Sequence, residues 1–347
     1  MGIFAIEGGA VSVRKLRPFL LKCLAVVAIL ALIAYAGISI AKEIQNHSKH
    51  EGFDSILVNK DFCTLAIEGE TLWGGGADGL FKVNMKTMQS TEVGRYSFVR
   101  AVLLTKTGLW VGHDGGVSVL SVGAGANVET AKYTKGDFLP DNRVNALMQD
   151  SQNNVWIGTW GGAVKYDGKN FTKFTTKEGL LDNMVNVITD DGAGGVWFGS
   201  YVAPRGGISV LRDSKWQYFT TKDALLHANV NTIIRLKDGT MFAGGGLYTQ
   251  GSGVFFENVG DSWARTRTLT KADGIAGEKV RSSFEDSRRR LWVGSEYDGA
   301  VVGASKNGPF TKFDDTSGLP SNEVKKIVED ASGNIWFGTR RGIVRIK

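Results

Sequence analysis

Short apolar runs alternate with turn-forming clusters along most of this chain. Between residues 143 and 175 the runs are "RVNALMQD", "VWIGT", "GAVKYD" and "FTKFT", rich in β-branched and aromatic residues and bounded by Gly, Asn, Asp or Ser. Four strands joined by tight turns are predicted. The second run is apolar throughout, as a strand buried on both faces would be. The same unit then recurs. An aromatic stands at Trp73, Trp110, Trp156, Trp197, Phe242, Trp292 and Trp336, at spacings of 37, 46, 41, 45, 50 and 44 residues. Two places after each comes Gly75, Gly112, Gly158, Gly199, Gly244, Gly294 or Gly338. Seven copies of a four-strand unit, with a period in the forties, predict an all-β, seven-bladed propeller.

Within a unit the large aromatic is expected to fill the wedge between neighbouring blades, while the Gly on the same strand face leaves room for its neighbours. The Gly pair that follows supplies positive φ in the reversal into the third strand. Asp150, Asp191, Asp286 and Asp330 each precede the Trp by six residues, where an Asx turn caps the reversal between the first two strands. The seventh copy stops at its third strand, "GIVRIK", whereas "FDSILVN" at 53–59 precedes the first innermost strand and has no unit of its own. Residues 53–59 are expected to complete the last blade and close the ring.

The beginning of the chain reads differently. "CLAVVAILALIAYAGISIA", residues 23–41, holds 19 residues without a charge, enough for one helical crossing of a hydrocarbon core about 30 Å thick. Arg14, Lys15, Arg17 and Lys22 precede it against Glu7 alone, and carry half of the formal net charge of +6. The positive-inside rule then gives a cytoplasmic tail over 1–22, a signal-anchor helix over 23–41, a polar linker over 42–52 and an exported propeller over 53–347. For a bacterial chain this means one pass through the inner membrane with the propeller in the periplasm. The alternative is a signal peptide cleaved near Ala36, after "AYA". Cys23 and Cys63 fall on either side of the helix's bulk and are not expected to pair. His47, His50, His113 and His227 are too scattered for a metal site. No basic stripe suits nucleic acid. No cofactor is implied.

Units such as "TKEGLLDNMVNVITDDGAGGVWFGS", with the linking segments "FLPDNRVN", "GLPSNEVK" and the strands "VWIGT" and "IWFGT", resemble the two-component regulator propeller repeat over about residues 53–347. That family supplies the outward-facing sensor regions of bacterial hybrid histidine kinases and also stand-alone exported proteins. The resemblance implies a membrane-anchored binding or sensing module. Kinase members carry a further β domain, a membrane helix and a kinase after the propeller. Here the helix comes first, and a tail of about 20 residues is too short for a folded catalytic domain, so output through a protein partner in the membrane or periplasm is expected.

Loops between the second and third strands should share a face with the connections between blades, and they vary in length, being longest in blades four and five. Variable loops on a rigid scaffold are where binding usually resides. This face is expected to carry His113, Asp114, Trp160, Tyr201, Arg205, Tyr248, Glu296, Tyr297, Asp298, Arg340 and Arg341. The innermost strands bring Arg100, Arg281 and Lys325 to the register held elsewhere by Asn145, Asn186 and Asn231, a polar and basic channel mouth that would suit a small anion. Two other readings stand beside the binding module. One is a propeller lyase or hydrolase acting on a sugar or cyclic peptide, with His113 and Asp114, or Glu296 and Asp298, as acid and base. The other is a structural subunit of an envelope complex.

Overall fold

The computed structural model describes residues 27–30, 32 and 52–347, apart from 124–126, 202–204, 276 and 278. The expected tail, nearly all of the spanning helix, the cleavage site and the linker lie outside the described residues. Residues 27–30 and 32 are helical, and no described helix is long and apolar enough to cross a membrane.

From residue 53 onward the chain is a seven-bladed propeller. Its strands form seven four-stranded antiparallel sheets, and six of these are consecutive meanders. Blade three shows the pattern, with strands Val144–Gln149, Val155–Thr159, Gly162–Tyr166 and Phe171–Phe174 paired in that order. The second strand is buried throughout in blades two to seven, because each blade is sandwiched between two others. The seven motif aromatics are accordingly buried. Trp197 stacks on Phe219 at 5.7 Å and meets Trp263 edge-on at 5.2 Å. A Cβ added to Gly199 would lie 2.6 Å from Val187 and 2.8 Å from Val230 of the next blade, so the motif glycine is set by the packing of two blades. The reversal glycines take positive φ, as at Gly162 (133°) and Gly342 (131°).

The turn aspartates do more than cap a turn. In blades three, six and seven the Oδ1 of Asp150, Asp286 and Asp330 accepts backbone N–H groups of the turn, while Oδ2 accepts the Trp indole N–H at 2.8 to 2.9 Å. Burial raises these three pKa values, but the indole and turn hydrogen bonds outweigh it and hold them below the usual carboxylate range. A carboxyl with a lowered folded pKa stabilises above its unfolded value of about 4 and loses that contribution as pH falls through the folded value. The melting temperature is therefore expected to drop below about pH 4, with a shallower drop in Asp286→Asn. Parallel curves for the two proteins in that window would contradict this. In blade four Asp191 is instead engaged by Arg212, and the Trp197 indole nitrogen has no hydrogen-bond partner among the described residues.

The last blade is completed by the strand Phe53–Ile56, which pairs antiparallel with Gly342–Ile346, Phe53 opposite Ile346 and Ile56 opposite Ile343. It is shorter than the apolar run 53–59, because Leu57 and Asn59 take positive φ of 53° and 70° and leave the ladder. Asp54 lies opposite Arg345, whose Nε donates to it at 3.2 Å and whose Nη1 donates to the Met85 carbonyl in blade one at 3.0 Å. The seam between the seventh and first blades is thus held by charge as well as by sheet.

Candidate functional site

In blades three to seven the pairing between the first and second strands shifts by one residue, between Val144 and Ala146, Val185 and Val187, Val230 and Thr232, Val280 and Ser282, and Val324 and Lys326. The skipped residues are Asn145, Asn186, Asn231, Arg281 and Lys325. Each is the extra residue of a β-bulge, a device that frees a side chain from the ladder and re-aims it. With Cys63 and Arg100 of blades one and two they form a ring at one end of the central channel, around a cavity of about 260 Å³ that Phe98, Trp160 and Tyr201 also line. Larger clefts lie on the flanks, such as one of about 400 Å³ between blades three and four, but at the mouth all seven blades meet.

The three asparagines staple blade to blade. Asn145 donates to the Val185 carbonyl at 3.1 Å, Asn186 to that of Val230 at 3.0 Å, and Asn231 to that of Val280 at 2.8 Å. Asn231→Ala is expected to lower the unfolding free energy by about 1 kcal/mol, the net worth of one such bond. Urea denaturation measures this, and an unchanged midpoint would mean the staples contribute nothing.

The expectation of a basic mouth is corrected by its carboxylates. Arg100 is engaged by Asp114, Arg281 by Glu323 at 3.3 Å, and Lys325 by Asp61 at 2.7 Å and Glu323 at 3.5 Å. Buried Lys279 is engaged by Glu296 at 3.2 Å, donates to the Tyr201 hydroxyl at 3.1 Å and lies 5.0 Å from that ring's centre. Four cations thus meet four carboxylates. Asp61, Phe98, Lys279 and Glu323 all occupy the register two residues before a ring residue, a signal present in the repeat but not used in reading it. Cys63 is a free thiol whose burial pushes its pKa up to about 11, so it is protonated at neutral pH.

The expected loop residues separate into three groups. Trp160 and Tyr201 reach the mouth, Trp160 with the Arg143 guanidinium 4.5 Å from its ring centre, and Asp114 and Glu296 arrive there as the ion-pair partners just described. Arg205, Tyr248, Tyr297, Arg340 and Arg341 are exposed on the surrounding loops. Tyr248 and Tyr297 are 70% and 55% exposed, and Arg205 is 3.4 Å from Asp182. Asp298 accepts the Gly277 N–H at 3.0 Å. His113 is corrected, because it is only 5% exposed at the end of the strand Gly108–His113. Its Nδ1 accepts the Gly115 N–H at 3.0 Å and its Nε2 lies 3.3 Å from the Ser118 hydroxyl. Burial, with Lys132 nearby, pushes its pKa down. Both ring nitrogens are occupied locally, so the acid-base pair weighed for a lyase is not assembled at His113 and Asp114. Among the described residues no group of three His, Cys, Asp or Glu side chains is placed to hold a metal ion.

Fold and mouth together define a seven-bladed propeller with a charge-balanced channel mouth, and two of its blades match a known repeat. Residues 139–161 and 318–341 match the two component regulator propeller family model, so blades three and seven carry that repeat. Among solved structures, the chain is similar to one named as the extracellular domain of a one component system from B. thetaiotaomicron, at 18% identity and a TM-score of 0.67, covering 86% of this chain and 40% of that one. The extracellular domain of a hybrid two component system from the same organism matches at 19% identity and 0.68, over 85% and 41%. The chain thus spans about two fifths of the length of those structures. Streptogramin B lyase matches at 12% identity and 0.64, over 85% of this chain and 97% of that one. At these identities the fold is what is shared. No curated protein matches the sequence.

Proposed function

We propose that this chain is a non-enzymatic binding module that recognises a protein partner, or senses a ligand on that partner's behalf, through the mouth face of its propeller. The observation that carries this reading is the convergence of Phe98, Trp160 and Tyr201 with a charge-balanced ring of Arg, Lys, Asp and Glu where all seven blades meet. Aromatic and Arg side chains anchor interfaces, and ion pairs at a rim give orientation more than affinity. The likeness to extracellular domains of signalling systems supports an exported sensor. We place it at the bacterial inner membrane, held by residues 23–41, with the propeller in the periplasm.

The test is affinity purification of the full-length tagged protein from its own membranes in mild detergent, beside the double variant Trp160→Ala, Tyr201→Ala. The wild type is expected to retain a stoichiometric partner that the variant loses at unchanged melting temperature. Equal recovery by both proteins would remove the mouth from consideration. Protease treatment of intact spheroplasts should digest the propeller, whereas protection would overturn the periplasmic placement.

A further inference from the structure

The last residue of the second strand, immediately after the motif glycine, holds the turn that follows it. In blade three the Thr159 hydroxyl accepts the Gly161 N–H at 3.1 Å, in blade seven Thr339 accepts that of Arg341 at 3.2 Å, and in blade six Ser295 accepts those of Tyr297 and Asp298 at 3.2 Å. Blade two places His113 there, and its Nδ1 accepts the Gly115 N–H at 3.0 Å. The residue carried by these turns is Trp160, Arg340 or Glu296, and in blade two it is Asp114, which engages Arg100 in the ring.

A hydroxyl does not titrate near neutral pH, whereas an imidazole does. Because Nδ1 accepts a bond, the single proton of neutral His113 stands on Nε2, which lies 3.3 Å from the Ser118 hydroxyl. A second proton can enter only at Nδ1, where it would face the Gly115 N–H, so the imidazolium and this turn exclude one another. The turn packs closely on the ring, since a Cβ added to Gly115 would lie 2.9 Å from Cε1. We propose that His113 is an acid-sensitive latch, which when neutral holds Asp114 against Arg100 and when protonated releases the turn and leaves Arg100 without that carboxylate. Its bearing on binding rests on the reading of the mouth as the binding face.

The surroundings of the ring set the direction. Tyr96 lies 4.9 Å away ring to ring, and Glu129 and Lys132 come from the outer strand Glu129–Tyr133. Burial first, and then Lys132, push the His113 pKa below its ordinary value of 6.5 against the opposing pull of Glu129 and Asp114. A histidine with a lowered folded pKa contributes stability above its unfolded value, and that contribution is lost as pH falls through the folded value. The latch therefore opens below about pH 6.5.

Hydrogen exchange of the full-length protein in mild detergent, read by mass spectrometry from about pH 7.5 to about pH 4.5 with times rescaled for the intrinsic pH dependence, tests it. In the wild type the turn 113–116 is expected to exchange about tenfold faster at the acid end, the loss of one hydrogen bond, while turns 159–162 and 339–342 keep their protection. His113→Asn, whose Oδ1 can accept the Gly115 N–H but takes no proton, should show no such step. An unchanged wild-type turn across the range overturns the proposal, and that result needs no variant. An equal loss in the two hydroxyl-held turns or in His113→Asn overturns it as well. For the bearing on binding, a partner held on affinity resin at neutral pH is expected to elute from the wild type at about pH 5 and to stay on His113→Asn; retention by both proteins at both pH values overturns that part. If no partner is held at either pH, the binding reading alone fails, and the exchange profile still decides the latch.

Discussion

Deletion of residues 53–58 is expected to abolish the cooperative thermal transition of the propeller. The strand Phe53–Ile56 supplies the fourth strand of the last sheet, so its removal opens a ladder edge along Gly342–Ile346 and leaves the ring unfastened. The loss extends into both neighbouring wedges. Phe53 packs with Trp292 and Phe337 in the core between blades six and seven, and Ile56 with Phe62, Trp336 and Ile343 in the core between blades seven and one. Arg345 also loses Asp54. Differential scanning calorimetry of the protein with and without these residues measures the effect. A sharp transition at the same temperature would show that the ring closes by other contacts.

Trp336→Ala is expected to lower the unfolding free energy by about 3–5 kcal/mol, the usual range for emptying a buried aromatic site. Trp336 is fully buried beside Phe62 and Ile343, and it donates to Asp330 at 2.8 Å. The milder change to Phe separates packing from hydrogen bonding. Trp336→Phe removes the indole donor and leaves Asp330 one bond short, at about 1–3 kcal/mol. Trp197→Phe in blade four removes an indole nitrogen that has no partner among the described residues and should cost less. Chemical denaturation of the two Phe variants decides between them. If Trp197→Phe is the more destabilising, the turn carboxylates do not hold the tryptophans in the way described.

Blade number, strand order and the identity of the wedge aromatics were legible in the sequence because each rests on a pattern repeated seven times. The turn aspartates were legible as caps, but their bond to the indole nitrogen was not, since it depends on a side chain crossing from turn to wedge. At the mouth, alternation placed Asn145, Asn186 and Asn231 in register with Arg100, Arg281 and Lys325. The partners that balance the charge, Asp61, Asp114, Glu296 and Glu323, stand at fixed repeat positions, two residues before a ring residue or two after a motif glycine, but which cation each meets depends on how connections and loops fold over the mouth. His113 misled for a related reason. A histidine at the last position of a strand looks like a loop residue, and what buries it is Tyr96, whose ring lies 4.9 Å away on a connection from the preceding blade.

The bulged residues have a consequence for how such a pore can change over time. A side chain that occupies no row of its ladder can be exchanged without moving the strand beside it, and the price is at most a staple to the next blade. In this chain those positions hold Asn, Arg and Lys on one unchanged frame. The aperture therefore works as a set of separately adjustable positions around a rigid collar, and a duplicated copy could acquire a new selectivity one residue at a time while keeping its fold.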